Sequence, residues 1–63
     1  MWLNTDQAAL YLGVSVRTLE DWRQKQIGPA YYKKLEGKLV LYRRDELDRW
    51  VEQAYEHVEP RAL

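Results

Sequence analysis

Apolar residues recur along the chain at spacings that name its elements. Ala8, Ala9 and Leu12 share one side of a helix that Asn4 or Thr5 can cap, and Asn4 with Gln7 has the form of a capping box. Gly13 ends that helix, as glycine does where the backbone turns left-handed. Ser15 caps a second helix almost at once, with Leu19 and Trp22 one turn apart on its buried side. Ile27-Gly28-Pro29 breaks it. Tyr31–Leu35 and Leu39–Tyr42, rich in Tyr, Leu and Val and separated by Glu36-Gly37-Lys38, read as a hairpin. Asp45 opens a third helix whose Leu47, Trp50, Val51, Ala54 and Val58 fall on one face. Glu59–Leu63 contains Pro60 and reads as a frayed tail. The pattern predicts a mainly α fold with a small β-hairpin, in the order helix, helix, hairpin, helix, as one domain over residues 1–58.

The short join between the first two helices is the most informative stretch. A helix-turn-helix unit crosses two helices steeply around a turn of three or four residues that often contains glycine. Such a crossing needs small residues on the first helix, which Ala8 and Ala9 supply. Leu12 and Val14 flank the turn, and Leu19 and Trp22 pack the second helix back onto the first. A plain helical hairpin is the alternative, and it does not require this agreement of small, apolar and glycine positions.

Size and charge narrow the function. A chain of 63 residues without cysteine must hold itself by hydrophobic packing, with three Trp and five Tyr supplying the bulk. There is no Cys/His cluster for a metal and no nucleophile–base pair, so the reading is not an enzyme and needs no cofactor. The N-terminus has no signal-peptide pattern and no apolar run is long enough to span a bilayer, which predicts a cytoplasmic protein with no membrane partner. Net charge is zero, yet it is unevenly placed. Residues 15–44 carry eight basic side chains against three acidic ones, net +5, while residues 45–63 carry two against six, net −4. A basic middle beside an acidic end suits a polyanionic partner.

The run from Leu3 to Arg23 resembles the opening of the excisionase-type, MerR-like winged helix-turn-helix domains. The resemblance continues through Gly28-Pro29 and Lys33 and closes with Tyr42-Arg43-Arg44-Asp45-Glu46-Leu47-Asp48-Arg49-Trp50. It implies that the second helix enters the major groove of double-stranded DNA, the hairpin is a wing on the neighbouring groove, and the last helix completes the core. Members are recombination directionality factors or small phage-type transcription regulators, of bacterial or phage origin. Two positions depart from the family. Glycine usually stands where this chain has Gln26, so the second helix must end on a non-glycine residue or run on. A basic residue usually stands where this chain has Leu41, which weakens the wing's grip or turns that face towards protein.

Residue types then suggest roles on the DNA surface. Ser15 sits at a helix N-terminus, where its hydroxyl and free N–H groups suit a phosphate. Arg17 can fork onto a guanine or a phosphate, and Thr18 can touch a phosphate or a thymine methyl. Val16 and Asp21 are candidate base contacts, Asp21 because a carboxylate can accept from cytosine. Arg23 and Lys25, near the helix end, reach for the backbone. The competing reading is local: Arg17–Asp21 and Asp21–Lys25 are i, i+4 pairs, and for Asp21 and Glu20 it is the better one. On the wing, Lys33, Lys34 and Lys38 cluster around Gly37 at the tip; lysine also blunts exposed strand edges. Tyr42 offers a hydroxyl, and of Arg43 and Arg44 one is expected at phosphate and the other on Asp45, Glu46 or Asp48. Trp22 and Trp50 read as core and His57 as an ordinary surface residue, while Trp2 has no assigned place.

MerR-type activators continue into a coiled coil and an effector domain, which this sequence does not show. The expectation is therefore a DNA-bending excisionase acting with a site-specific integrase, without a small-molecule effector. Its copies are expected to bind head to tail on DNA. A transcription regulator is the alternative, and a protein-docking winged helix a second one.

Overall fold

The computed structural model describes residues 1–61. Helix α1 runs Thr5–Leu12 and α2 runs Val16–Gln24; α3 runs Arg44–Ala54. Strands β1 (Trp2–Asn4), β2 (Tyr32–Lys33) and β3 (Val40–Arg43) form one antiparallel sheet in the order β1-β3-β2. The expected architecture is present, a winged helix-turn-helix, with one strand the pattern did not announce. Strand β1 is three residues long, too short for alternation to show, and it exists because β3 lends it an edge. Leu3 pairs with Tyr42, Trp2 with Arg43, and the Arg44 N–H donates to the Met1 carbonyl at 3.1 Å.

The caps account for the short turn between the first two helices. Asn4 is the cap of α1: its side chain accepts the Gln7 N–H at 2.8 Å, and the Gln7 side chain accepts the Asn4 N–H at 2.9 Å. Gly13 closes α1 with φ 74, which lets the Val14 N–H reach the Ala9 carbonyl at 3.0 Å. Ser15 then starts α2 by accepting the Thr18 N–H at 3.0 Å.

The end of α2 resolves the question raised by Gln26. Gln26 takes the left-handed conformation itself, with φ 58, the one non-glycine residue to do so among those described. Around it the Gln26 N–H donates to the Arg23 carbonyl at 3.1 Å and the Ile27 N–H to the Trp22 carbonyl at 2.9 Å, a Schellman closure without glycine. Gly28 follows with φ 86, and a Cβ there would stand 3.0 Å from Trp22. Glycine is needed at that position for backbone and for space together.

Leu3, Ala8, Ala9, Leu19, Tyr42 and Leu47 form the buried core, with Leu12, Val14, Val16, Trp22 and Val40 packed against it. Trp22 meets Trp50 of α3 at 5.2 Å between ring centroids. Three boundaries differ from expectation. The hairpin strands are shorter, because beyond Lys33 and before Val40 the chain bends through the wing tip. Helix α3 starts at Arg44 without a side-chain cap, leaving Asp45 and Glu46 in the first turn, where carboxylates suit the positive helix end. It stops at Ala54 because Tyr55 is extended (φ −113, ψ 140), so Ala54 and Val58 lie outside the core. Of the expected frayed tail, Glu59–Arg61 carry no regular structure and Ala62 and Leu63 lie outside the described residues.

Leu19 makes no contact with solvent, so Leu19→Ala should cost about 2–5 kcal/mol, most of the stability of so small a domain. Gln26→Gly should raise stability by about 0.5–1 kcal/mol by relieving the left-handed strain. Thermal or urea melts of both variants check these opposite signs.

Candidate nucleic-acid interface

Helix α2 divides its side chains between the core and solvent. Val16, Leu19, Trp22 and Arg23 turn inward or lie half-buried, while Arg17, Glu20, Asp21 and Gln24 are exposed and line one shallow groove. Positions 17, 20, 21 and 24 are spaced as one helical face. Gln24 was absent from the sequence-derived set, although its place seven residues after Arg17 marks it. Its amide can bond an adenine edge in two places.

At the N-terminus of α2 the Ser15 hydroxyl accepts the Thr18 N–H and donates to Thr18 Oγ1 at 2.9 Å. The Ser15 hydroxyl is thereby committed to the cap, and Thr18 keeps its own hydroxyl proton to donate. Val16 is withdrawn from the role of base contact, since it packs against the core. Neither i, i+4 ion pair forms: among the described residues the ion pairs are Arg43–Asp45 and His57–Glu59. Arg17 and Lys25 therefore stand exposed without a carboxylate partner, a state that favours a phosphate or a base edge over a solvated local pair.

Arg23, expected at the DNA backbone, is tied into the fold itself. Its Nη1 donates to the Tyr42 hydroxyl at 2.9 Å and to Thr5 Oγ1 at 3.3 Å, and its guanidinium lies 5.9 Å from the Tyr31 ring centroid. Nε and Nη2 remain for a phosphate. Tyr42, expected to offer its hydroxyl to DNA, is fully buried and spends that hydroxyl on Arg23, so it does not reach DNA. In the pattern a tyrosine at the end of a hairpin strand reads either way; only pairing with Leu3 turns it inward.

The wing carries Lys33 on β2, Lys34 and Lys38 beside the tip, and Gly37 at the tip with φ 97, all exposed. The Lys34 N–H donates to the Leu39 carbonyl at 3.0 Å and closes the loop. Leu35, at the tip, is 102% exposed, an apolar side chain among lysines that the strand reading had hidden. Of the two arginines after the wing, Arg43 pairs with Asp45 at 3.4 Å and lies over Trp2 at 5.6 Å, whereas Arg44 is exposed without an ion pair among the described residues. The remaining carboxylates considered for them go to tyrosines: Tyr32 donates to Glu46 and Tyr11 to Asp48, each at 2.6 Å. Those bonds hold both tyrosine hydroxyls above their ordinary range.

A capped helix with unpaired cations on its outer face, crossed by a second helix and accompanied by a lysine wing, defines a winged helix-turn-helix DNA-binding domain. Residues 2–55 match the helix-turn-helix domain family, and the chain belongs to that family. No curated protein matches it. Among the described residues no helix is long and apolar enough to cross a membrane.

If α2 is the reader, Arg17→Ala should cost about 1–3 kcal/mol on a specific site and flatten base preference. Lys34→Ala should weaken all sequences alike and lower the salt slope by about one unit. Binding isotherms on specific and scrambled duplexes at several salt concentrations separate the two; unchanged affinity for Arg17→Ala removes α2 as the reader.

Proposed function

We propose that the domain is an excisionase, a recombination directionality factor that binds attachment-site DNA, bends it, and promotes excision of a mobile element by a partner integrase. The observation that carries this reading is the division of charge on one small body. On the reading helix and wing the exposed cations Arg17, Lys25, Lys33, Lys34 and Lys38 outnumber Glu20, Asp21 and Glu36, whereas on and after α3 the exposed carboxylates Asp45, Asp48, Glu52, Glu56 and Glu59 outnumber Arg44, Arg49 and Arg61. One module of this kind buries about 600–1,000 Å² on DNA, modest for a specific search. Neighbouring copies, basic side to acidic side, supply the rest. Such a contact is heterologous and extends as an array along the duplex. The resemblance of Leu3–Arg23 and Tyr42–Trp50 to excisionase-type domains supports the same reading. Exposed Leu35 supports bending, because an apolar side chain at a wing tip can wedge into a minor-groove base step and kink it. A small transcription regulator uses the same interface on promoter DNA, and the DNA it protects decides between them.

Footprinting on the mobile element's attachment-site and promoter DNA, at two salt concentrations, should show cooperative protection of repeats in the attachment site. The free protein should sediment as a monomer. Leu35→Ala should keep binding while reducing the bend measured by end-to-end energy transfer. A tight two-fold dimer in solution, or equal affinity per repeat whatever their number, overturns the array. Protection confined to promoter DNA overturns the excisionase role.

A further inference from the structure

The sheet has two faces of different character. Leu3 and Tyr42 point into the core, so Trp2, Asn4, Tyr32, Leu41 and Arg43 stand on the opposite face. That outer face is largely apolar. Trp2 and Tyr32 meet edge to face at 4.9 Å, and Leu41 and Leu39 continue the patch. With Lys33 and Lys34 they line a groove of about 300 Å³. Trp2 remains 53% exposed and Leu41 42% exposed although both lie on paired strands. A contiguous apolar patch bordered by charge marks an interaction surface more than a scatter of single exposed residues does.

We propose that this groove receives the segment after α3, residues 55–61, of a second copy of the chain. The proposal rests on the reading above, that copies assemble side by side on DNA, and gives that assembly its contact. Charge selects the occupant. The groove is bordered by Lys33 and Lys34, which form no ion pair among the described residues. The segment carries Glu56 and Glu59 against one arginine, Arg61, with Tyr55 and Val58 exposed between and beside the carboxylates. Apolar side chains interleaved with carboxylates match an apolar groove with a cationic border in both respects. The segment is also accessible: it has no regular structure, every residue from Tyr55 to Arg61 is exposed, and Tyr55 anchors its start with an N–H bond to the Val51 carbonyl at 2.9 Å and a ring edge-on to Trp50 at 5.9 Å. Each copy offers one groove and one segment, so the contact joins unlike surfaces and repeats along an array. Exposed ion pairs and a small apolar area hold it weakly in solution, and tethering on one duplex raises its effective concentration.

The lysines are shared with the wing, so the test uses apolar positions. Leu41→Ser breaks the groove without adding a charge to the wing, and Tyr55→Ala with Val58→Ser breaks the segment; all three side chains are exposed and outside the DNA-facing set. On a one-site duplex both variants should bind as the unaltered protein does. On a duplex with two adjacent sites, the unaltered protein should gain about tenfold for the second copy, and each variant should lose that gain. A synthetic peptide of residues 52–61, titrated onto the full chain, should shift the Trp2 indole N–H resonance, and Leu41→Ser should abolish the shift. A peptide that leaves Trp2 unmoved, or variants that keep full cooperativity, overturns the contact while leaving the array reading in place. Peptide binding without cooperativity in the unaltered protein does the reverse. A solution dimer lost on Leu41→Ser but kept in the segment variant would overturn the occupant, since two grooves would then face each other.

Discussion

The hydrogen bond from Arg23 to Tyr42 is the constraint around which the domain is arranged. Tyr42 lies in the central strand of the sheet, fully buried and paired with Leu3. A buried hydroxyl needs a partner, and Arg23 on α2 provides it while also bonding Thr5 at the start of α1. One network thus fixes the reading helix against the sheet and against the helix it crosses. Arg23 is half-buried, and no buried side-chain polar atom among the described residues is left without a partner. A small domain with six residues in its core has little apolar burial with which to set the angle of α2. A directional bond supplies that angle, and the positions of Arg17, Asp21 and Gln24 follow from it.

This arrangement also explains how a chain of zero net charge presents a DNA-binding surface. The carboxylates nearest the core-facing elements are occupied locally: Glu46 by Tyr32, Asp48 by Tyr11 and Asp45 by Arg43. Neutral tyrosine donors satisfy two of the three, so the acidic helix does not consume the cations of α2 and the wing. Those cations remain exposed for phosphate, where screened electrostatics act over about 8–10 Å at ordinary salt. In the assembly proposed above, the acidic side of α3 is left for a second partner. Charge cancels in the sum and not at the surface.

The parts of this fold that are local in sequence are legible there. The Asn4–Gln7 capping box, Gly13 and Ser15 each act within a few residues, so the helix-turn-helix could be read from spacing alone. The order helix, helix, hairpin, helix follows from the same pattern, and the hairpin's reading as a wing from the family resemblance. What escaped depends on pairing across the chain. Strand β1 exists only through β3, and Tyr42 turns inward only because Leu3 lies opposite it. Arg23 looked like any cation at a helix end until Tyr42 and Thr5, distant in sequence, closed on it. Leu35 reads as a strand residue because it closes the stretch Tyr31–Leu35, whereas strand β2 ends at Lys33 and leaves it at the tip. Helix α3 was read too long for a similar reason: Val58 keeps the helical spacing, but the backbone leaves the helix at Tyr55.

The two departures from the resembling family have different physical consequences. Gln26 accepts a left-handed backbone that glycine would adopt without strain, and the surrounding hydrogen bonds hold it there. That substitution costs stability and leaves the surface alone. Leu41 leaves the fold alone and changes the surface: it occupies the centre of β3 on the outer face, between Asn4 and Tyr32. A basic residue there would extend the cationic wing into the sheet and break the continuity between Trp2 and Leu39. Leucine instead makes the outer face apolar from β1 to the wing. Exposed apolar area of that kind is a liability for a free monomer in water and an asset only when something covers it. The sheet therefore separates two surfaces on one hairpin, a cationic tip and an apolar flank, which the readings proposed above give to DNA and to protein.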